Sequence, residues 1–464
     1  MMRYILICIF ALLIIGPIYA QDEAEVTITE TTITWQTVDY TLNDDFSVDQ
    51  ASLDLNDVVE QTFTAYVLEN DYLQVTLVPE YGGRILSLID KTTGNEQLYQ
   101  NPLGLPYGIG DGNFYYDWLM VYGGIFPTFP GPEHGKSWFL PWTFEVVTET
   151  ANEIAVRMTF TDDVTFNGAP GRFDPAPTGL EAEFFVSLNA GHRAVDTTVT
   201  LHNPTEDTIR YEYWTCVTLA PGTSPGDTQT PLNTEIIAPV DEIKMPPWWP
   251  DTTAQEISTG IPDIYTFDAL RSFANWPDMG IAYAFPTMEG ANFWGAINQE
   301  NEEGLIRIAD NTVTPGLKMW TWGAESAELP VDIYAFNERR PYIELWAGVT
   351  PEFFQAAFLP AGETITIHER YAVVEGLTNV THASEFALAD ASASAEEMTL
   401  QVLGTQPDQT LRVMVMVDDA TLYEDVATDE PIILALPDGT SEVAFMVIGE
   451  DGTTLLDGTL VDIE

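Results

Sequence analysis

The stretch DYLQVTLVPEYGGRILSLIDKTTGN, Asp71 to Asn95, decides the class of fold. Leu73, Val75 and Leu77 alternate with Tyr72, Gln74 and Thr76. That period of two belongs to a half-buried strand, whose successive side chains point to opposite faces. RILSLI repeats the pattern beyond the Gly82–Gly83 tight point and stops at the turn signal DKTTGN. Further along, AVDTTVTLHN puts Val195, Val199 and Leu201 on one face and Asp196, Thr198, Thr200 and His202 on the other. No long stretch shows apolar spacing of 3.6 with helix caps. Many strands separated by Pro, Gly, Asn and Asp turns argue for an all-β protein built of sandwiches.

Composition divides the chain. Arg3, the apolar run Tyr4 to Gly16 and the small residue ending PIYA read as a signal peptide over residues 1–20, cleaved after Ala20. The apolar run is short for a membrane span, and Cys8 lacks the context of a lipid-attachment site. The expectation is a secreted or periplasmic protein with no membrane anchor. Residues 21–60 are an acidic, Thr-rich lead-in with a strand or two, and 61–377 are the main body, rich in Trp, Tyr, Phe and Pro. Around residues 378–390 the Ala/Ser/Glu-rich HASEFALADASASAEEM reads as a linker. Residues 391–464 alternate between Asp-Gly turns and fit a small immunoglobulin-like sandwich.

Charge excludes several partners. There are 72 acidic and 16 basic residues, a formal net charge of −56. Binding phosphates requires clustered Lys and Arg, so nucleic acid and anionic membranes are excluded, and polyanionic glycans are disfavoured. Only Cys216 remains after cleavage, so no intramolecular disulfide can form and the core must supply stability. No DxDxDG-type loop, nicotinamide fingerprint, phosphate loop or HExxH motif is present, so no cofactor and no metal are expected. Aromatics at 12% suit a large β-protein or a sugar-binding surface.

Three islands in the body could carry chemistry. The first holds Gly82, Gly83 and Arg84; Arg84 could clamp a substrate or form a structural ion pair. The second, FPGPEHGKSWFLPW, sets Glu133 and His134 ahead of large aromatics including Trp138, and His134 reads as a site group or a plain loop residue. The third, YIELWAGVTPEFFQAAFLPAGETITIHERY, puts Glu344 between Ile343 and Leu345, facing away from both. Trp320 and Trp322 share a strand face and could pack a core or stack on a sugar. Trp248 and Trp249 in PPWWP offer a rigid aromatic tip. His192 and His202 read as surface residues, His368 has no assigned role, and Cys216 reads as a buried small residue.

In order, LENDYLQVTLVPEYGGRI, GGIFPTFPGPEHG, KMWTWG and YIELWAGVTPEF…LPAGE resemble the galactose mutarotase-like superfamily, and most closely a family of unknown function within it. The resemblance runs from about Leu68 to Tyr371. It implies a supersandwich of two large antiparallel sheets whose concave face holds a sugar. In aldose 1-epimerases a His-Gly step lies on that face, which His134-Gly135 matches, and a late-strand glutamate acts as base, which Glu344 matches. Their second histidine, usually the acid, has no counterpart: the comparable strand reads YEYWTCVTLAPG, with Trp214, Thr215 and Cys216.

The sequence therefore predicts an exported protein binding a neutral sugar. Glu344 and His134 would be catalytic groups of epimerase or glycosidase type, and Arg84, Glu133, Trp138, Trp214, Trp320 and Trp322 would contact substrate. The alternative is a non-catalytic carbohydrate-binding protein. A polysaccharide lyase fits less well, since so few cations could neutralise a uronate carboxylate.

Overall fold

The computed structural model describes residues 26–101, 104, 123–131, 134–166, 176–226, 228–247, 257–276, 279–323, 341–418, 420–428, 430–461 and 463. The expected signal peptide, Glu133 and the Trp248–Trp249 tip lie outside the described residues. Among these the chain is strands and turns, with two short 3₁₀ turns at Asp268–Leu270 and Phe273–Asn275.

The stretch that opened the sequence reading becomes two strands, Leu73–Val78 and Arg84–Asp90, paired antiparallel with a register shift at Thr76/Leu77. The Gly82–Gly83 corner between them has a strict physical cause. Both residues take positive φ, 76° and 54°, and a Cβ on Gly82 would lie 1.8 Å from the Trp138 carbonyl oxygen. Only glycine fits where backbone approaches so closely.

These strands belong to a 12-stranded sheet. At one side the lead-in strands Thr27–Asp39 and Asp54–Glu69 extend it. Its centre is formed by Trp214–Thr223, Tyr342–Gly348 and Gly316–Trp322, side by side. Ile125–Thr128 pairs with Trp214–Thr223 on one flank, and Met279–Phe285 pairs with Gly316–Trp322 on the other. An eight-stranded sheet packs behind, containing Glu303–Ala309, Thr364–Glu375 and Ala194–His202.

Alternation assigns each face. Val217, Leu219, Ile343, Leu345, Leu317 and Met319 point back and share one core with Leu305, Ile367 and Tyr371 of the second sheet. Each such side chain contributes about 1.5–3 kcal/mol when fully buried. Within this apolar layer runs a polar seam. Arg307 Nε donates to Glu369 Oε1 at 2.5 Å, its other nitrogens donate to Asn311 and Thr314, and Thr215 Oγ1 donates to Glu369 Oε2 at 3.0 Å. Both charged side chains have no exposure, and the Thr215 bond ties the second sheet to the centre of the first.

The segment read as a linker is structured. Residues 378–390 include the strand His382–Ala383 and the start of Ala387–Ala393. Val380, Ala383 and Leu388 pack with Ile237, Phe293, Ile306 and Val374 on the outer face of the eight-stranded sheet. Sequence composition missed this because alanine and serine are short. They give a weak hydrophobic pattern, yet pack closely against a broad apolar face. The residues that follow form two four-stranded sheets around their own core of Met398, Leu400, Val413, Val415, Phe445 and Val447. The Arg193 amide also donates to the Thr405 carbonyl, and the Tyr72 hydroxyl to Asp408, each at 2.8 Å.

Candidate functional site

The front face of the 12-stranded sheet carries the second set of alternating side chains, and its register brings the three sequence islands together. Across the sheet, Phe126, Cys216, Trp346, Lys318 and Tyr283 occupy successive cross-strand positions. In the adjacent row Thr218, Glu344, Trp320 and Ile281 do the same. Tyr342 and Trp322 pair beyond them.

Glu344 sits at the middle of this face and is only 3% exposed. Its Oε2 accepts from Trp346 Nε1 at 2.9 Å, and Lys318 supplies the nearby positive charge. Burial raises the carboxyl pKa from 4.5 to about 7, against the lowering effects of Lys318 and the Trp346 hydrogen bond. Desolvation disfavours the ionised form, and one indole N–H with one ammonium does not fully offset it. A carboxyl held near neutrality can both take and return a proton, which suits a general acid–base group. The outward, solvated placement that is the default for a glutamate does not hold here.

Lys318 lies two residues from Trp320 on the same strand face and is 5% exposed. Its Nζ stands 4.1 Å from the Phe353 ring centroid, 4.4 Å from Trp346 and 5.2 Å from Trp320. Ring quadrupoles keep a cation stable in such a cage.

His134 reaches the same face from the loop 129–142. The Lys136 and Ser137 amides fold back onto the Phe129 carbonyl, and Lys136 forms a buried 2.8 Å ion pair with Asp162. The imidazole lies parallel to Phe126, with centroids 6.3 Å apart, and meets Trp346 edge-on at 5.1 Å and Trp138 at 5.9 Å. His134 and Glu344 thus contact the same indole. Burial, then the charges of Lys318 and Arg84, hold the His134 pKa well below 6.5. It is a neutral imidazole at pH 7, with no imidazolium proton to give.

Arg84 is fully buried, and its role is positional. Nε donates to the Tyr81 carbonyl and Nη1 to the Gly123 carbonyl, each at 2.7 Å, while Nη2 donates to the Trp138 carbonyl. The guanidinium also lies against the Tyr81 and Phe126 rings at 4.6 and 4.2 Å. Among the described residues these contacts tie it to main chain and aromatic faces. It locks the glycine corner to the His134 loop.

The aromatic residues divide. Trp138 and Trp214 have no exposure, and the Trp214 ring meets Phe353 at 4.7 Å. A Cβ placed on Gly348 would lie 2.4 Å from that ring, so Trp214 fills the space the glycine leaves. Trp320 and Trp322 cluster with Tyr99, Ala220 and Tyr342 on the front face and keep 8% and 5% exposure. Cys216 is buried opposite Trp346, and burial with the nearby Glu344 charge pushes its thiol well above the usual range.

Sequence reasoning missed Lys318, Trp346 and Tyr342. The signal was available in KMWTWG, where alternation places Lys318 on the face of Trp320 and Trp322. Which of that strand's two faces is the front one depends on the packing of the second sheet.

Solved structures similar to this chain include galactose mutarotase-like proteins. A domain of unknown function, DUF5107, matches residues 49–221. Among solved structures, a TPR-domain containing protein from Parabacteroides distasonis is similar at a TM-score of 0.58 and 18% identity, covering 75% of this chain and 55% of that one. The chain thus spans about half the length of that protein. A galactose mutarotase-like protein from Clostridium acetobutylicum gives 0.47 and 11%, covering 76% and 99% of the two chains. A galactose mutarotase related enzyme from Lactobacillus acidophilus gives 0.42 and 13%, covering 68% and 99%. At these identities the likeness is one of fold.

Proposed function

We propose that this chain is an exported carbohydrate-active protein that takes a neutral sugar on the front face of the 12-stranded sheet, with Glu344 as the proton-accepting group. The observation that carries this reading is the placement of Glu344. It is a buried carboxyl with near-neutral proton affinity, ringed by Trp346, Trp320 and Tyr342 on the face where three separate sequence islands meet. Ordinary structural carboxylates in this protein are placed differently, as Glu369 with its arginine and threonine partners illustrates.

For a reducing sugar the chemistry is hemiacetal opening. Glu344 removes the anomeric hydroxyl proton, the ring C–O bond breaks as the carbonyl forms, and the ring oxygen takes up a proton. His134 orients the Trp346 indole and the ligand as a neutral imidazole. A glycosidase reaction would instead call for a second carboxyl group at the scissile bond. Because Glu344, His134 and Lys318 are all buried, a ligand must displace whatever covers this face. That favours a small sugar or a chain end over the middle of a polymer.

The test is anomer exchange of D-glucose, D-galactose, D-mannose and D-xylose, followed by NMR saturation transfer, with Glu344→Gln alongside. Exchange above the buffer rate that Glu344→Gln abolishes supports the reading. Sugar binding without exchange would instead establish the non-catalytic reading, which a neutral His134 and the missing second histidine favour. Salt-sensitive binding to alginate or pectin, with no response to neutral sugars, would overturn both.

A further inference from the structure

Hemiacetal opening needs an acid as well as a base, and the neutral His134 holds no imidazolium proton. We infer that Lys318 is the proton donor to the ring oxygen and that Glu344 and Lys318 form the catalytic pair. This rests on the reading of Glu344 as base.

The geometry that points to Lys318 is the register of two neighbouring strands. Glu344 lies directly opposite Trp320, and Lys318 lies directly opposite Trp346, so Glu344 and Lys318 are diagonal neighbours on one face. Diagonal positions in an antiparallel pair lie about 7–8 Å apart at the backbone, within reach of long side chains. The two oxygens that exchange a proton are attached to the same carbon, so one acid and one base at this spacing can serve both.

The aromatic cage explains why the donor can be lysine. An ammonium buried without compensation loses its proton. Here Phe353, Trp346 and Trp320 present ring faces at 4.1, 4.4 and 5.2 Å and favour the charged form. Among the described residues, the other titratable or charged groups facing this region are Tyr342 beside Glu344, Cys216 one strand further, Tyr283 opposite Lys318, and His134 and Arg84.

The step balances. Glu344 gains the anomeric hydroxyl proton, the C1–O5 bond breaks as C1=O1 forms, and O5 gains the proton from Lys318 Nζ. The pair passes from carboxylate and ammonium to carboxylic acid and amine, and a buried neutral pair carries a smaller desolvation cost than two ions. Rotation about C1–C2 and reversal of both transfers release the other anomer and restore the pair. No co-reactant is consumed.

Lys318→Arg and Lys318→Met decide the matter, assayed by the same anomer exchange on those sugars, with melting temperature as the folding check. Arginine keeps the charge but does not release its proton below about pH 12. Loss of about 10²-fold or more in both variants, with sugar binding retained, is the expected result. The wild-type rate should also fall at high pH as Lys318 deprotonates. Exchange within a few-fold of wild type in Lys318→Arg shows that only the charge matters and overturns the assignment while leaving Glu344 as base. If neither variant folds, the wild-type pH profile decides, and a rate still level at about pH 11.5, above the ordinary lysine range, overturns the assignment. Wild-type protein inactive on every sugar sinks the Glu344 reading and the pair together, a different outcome from loss of Lys318 alone.

Discussion

Two buried glutamates in this molecule show how packing separates structure from function. Glu369 lies between the sheets, bonded to Arg307 at 2.5 Å and to Thr215 at 3.0 Å. Glu344 lies on the front face, where Trp346 donates one hydrogen bond and Lys318 is held among aromatic rings. Both residues sit mid-strand between larger neighbours. The first is bound to a guanidinium whose other nitrogens are partnered by Asn311 and Thr314. The second is desolvated beyond what its partners offset, so its proton is exchangeable. Ionising such a group costs the folded state stability.

The sharpest way to break the comparison is to remove one partner from each site. Glu369→Ala leaves Arg307 as an uncompensated buried charge, and loss of about 3–5 kcal/mol is expected in urea unfolding. Glu344→Gln should go the other way. A carboxyl whose folded-state pKa lies above its unfolded value binds more protons when folded, so stability falls as pH rises from 4.5 to about 7. The amide mimics the protonated acid and escapes that loss. At pH 8 Glu344→Gln should therefore be more stable than wild type by up to about 3 kcal/mol, and at pH 4 the two should unfold together. A Glu344→Gln variant less stable than wild type at pH 8 would mean that the ionised carboxylate is structural after all.

His134 sharpens the contrast with the opposite sign. Its folded-state pKa is depressed, so its contribution is present above pH 6.5 and lost as pH falls below that value. His134→Asn should therefore lose less stability than wild type between pH 6.5 and 5, read as a flatter dependence of the urea midpoint on pH.

Next in size is the wedge behind the site. Gly348→Ala forces a methyl to within 2.4 Å of the Trp214 ring, and overpacking of this kind costs about 1–3 kcal/mol. The smallest effect is expected at the C-terminal sandwich, far from either glutamate. Tyr72→Phe removes the hydroxyl bond to Asp408 and should cost only about 0.5–1.5 kcal/mol with no change in sugar exchange. Limited proteolysis should also spare residues 378–390, since Val380, Ala383 and Leu388 are buried there; rapid cutting within them would contradict that packing.

Much of this molecule was legible without coordinates. Alternation over Leu73–Leu77 and Val195–Leu201 determined the strands, because burial of one sheet face imposes a period of two on the sequence. The positive φ at Gly82–Gly83 was equally local, since glycine adopts it without a Cβ penalty, whereas the Trp138 carbonyl that crowds Gly82 comes from a distant segment. Glu344 could be selected by its surroundings in YIELWAG, but nothing in those letters told it from Glu369 in TIHERY. Only the tertiary structure decided that one faces Arg307 between two sheets and the other faces a lysine caged in rings. The same holds for Arg84, whose three carbonyl partners come from separate segments. Periodicity reports whether a side chain is covered. What covers it is set largely by residues on other strands, as Thr215, 154 positions from Glu369, illustrates, and on that depends whether a buried charge is satisfied or reactive.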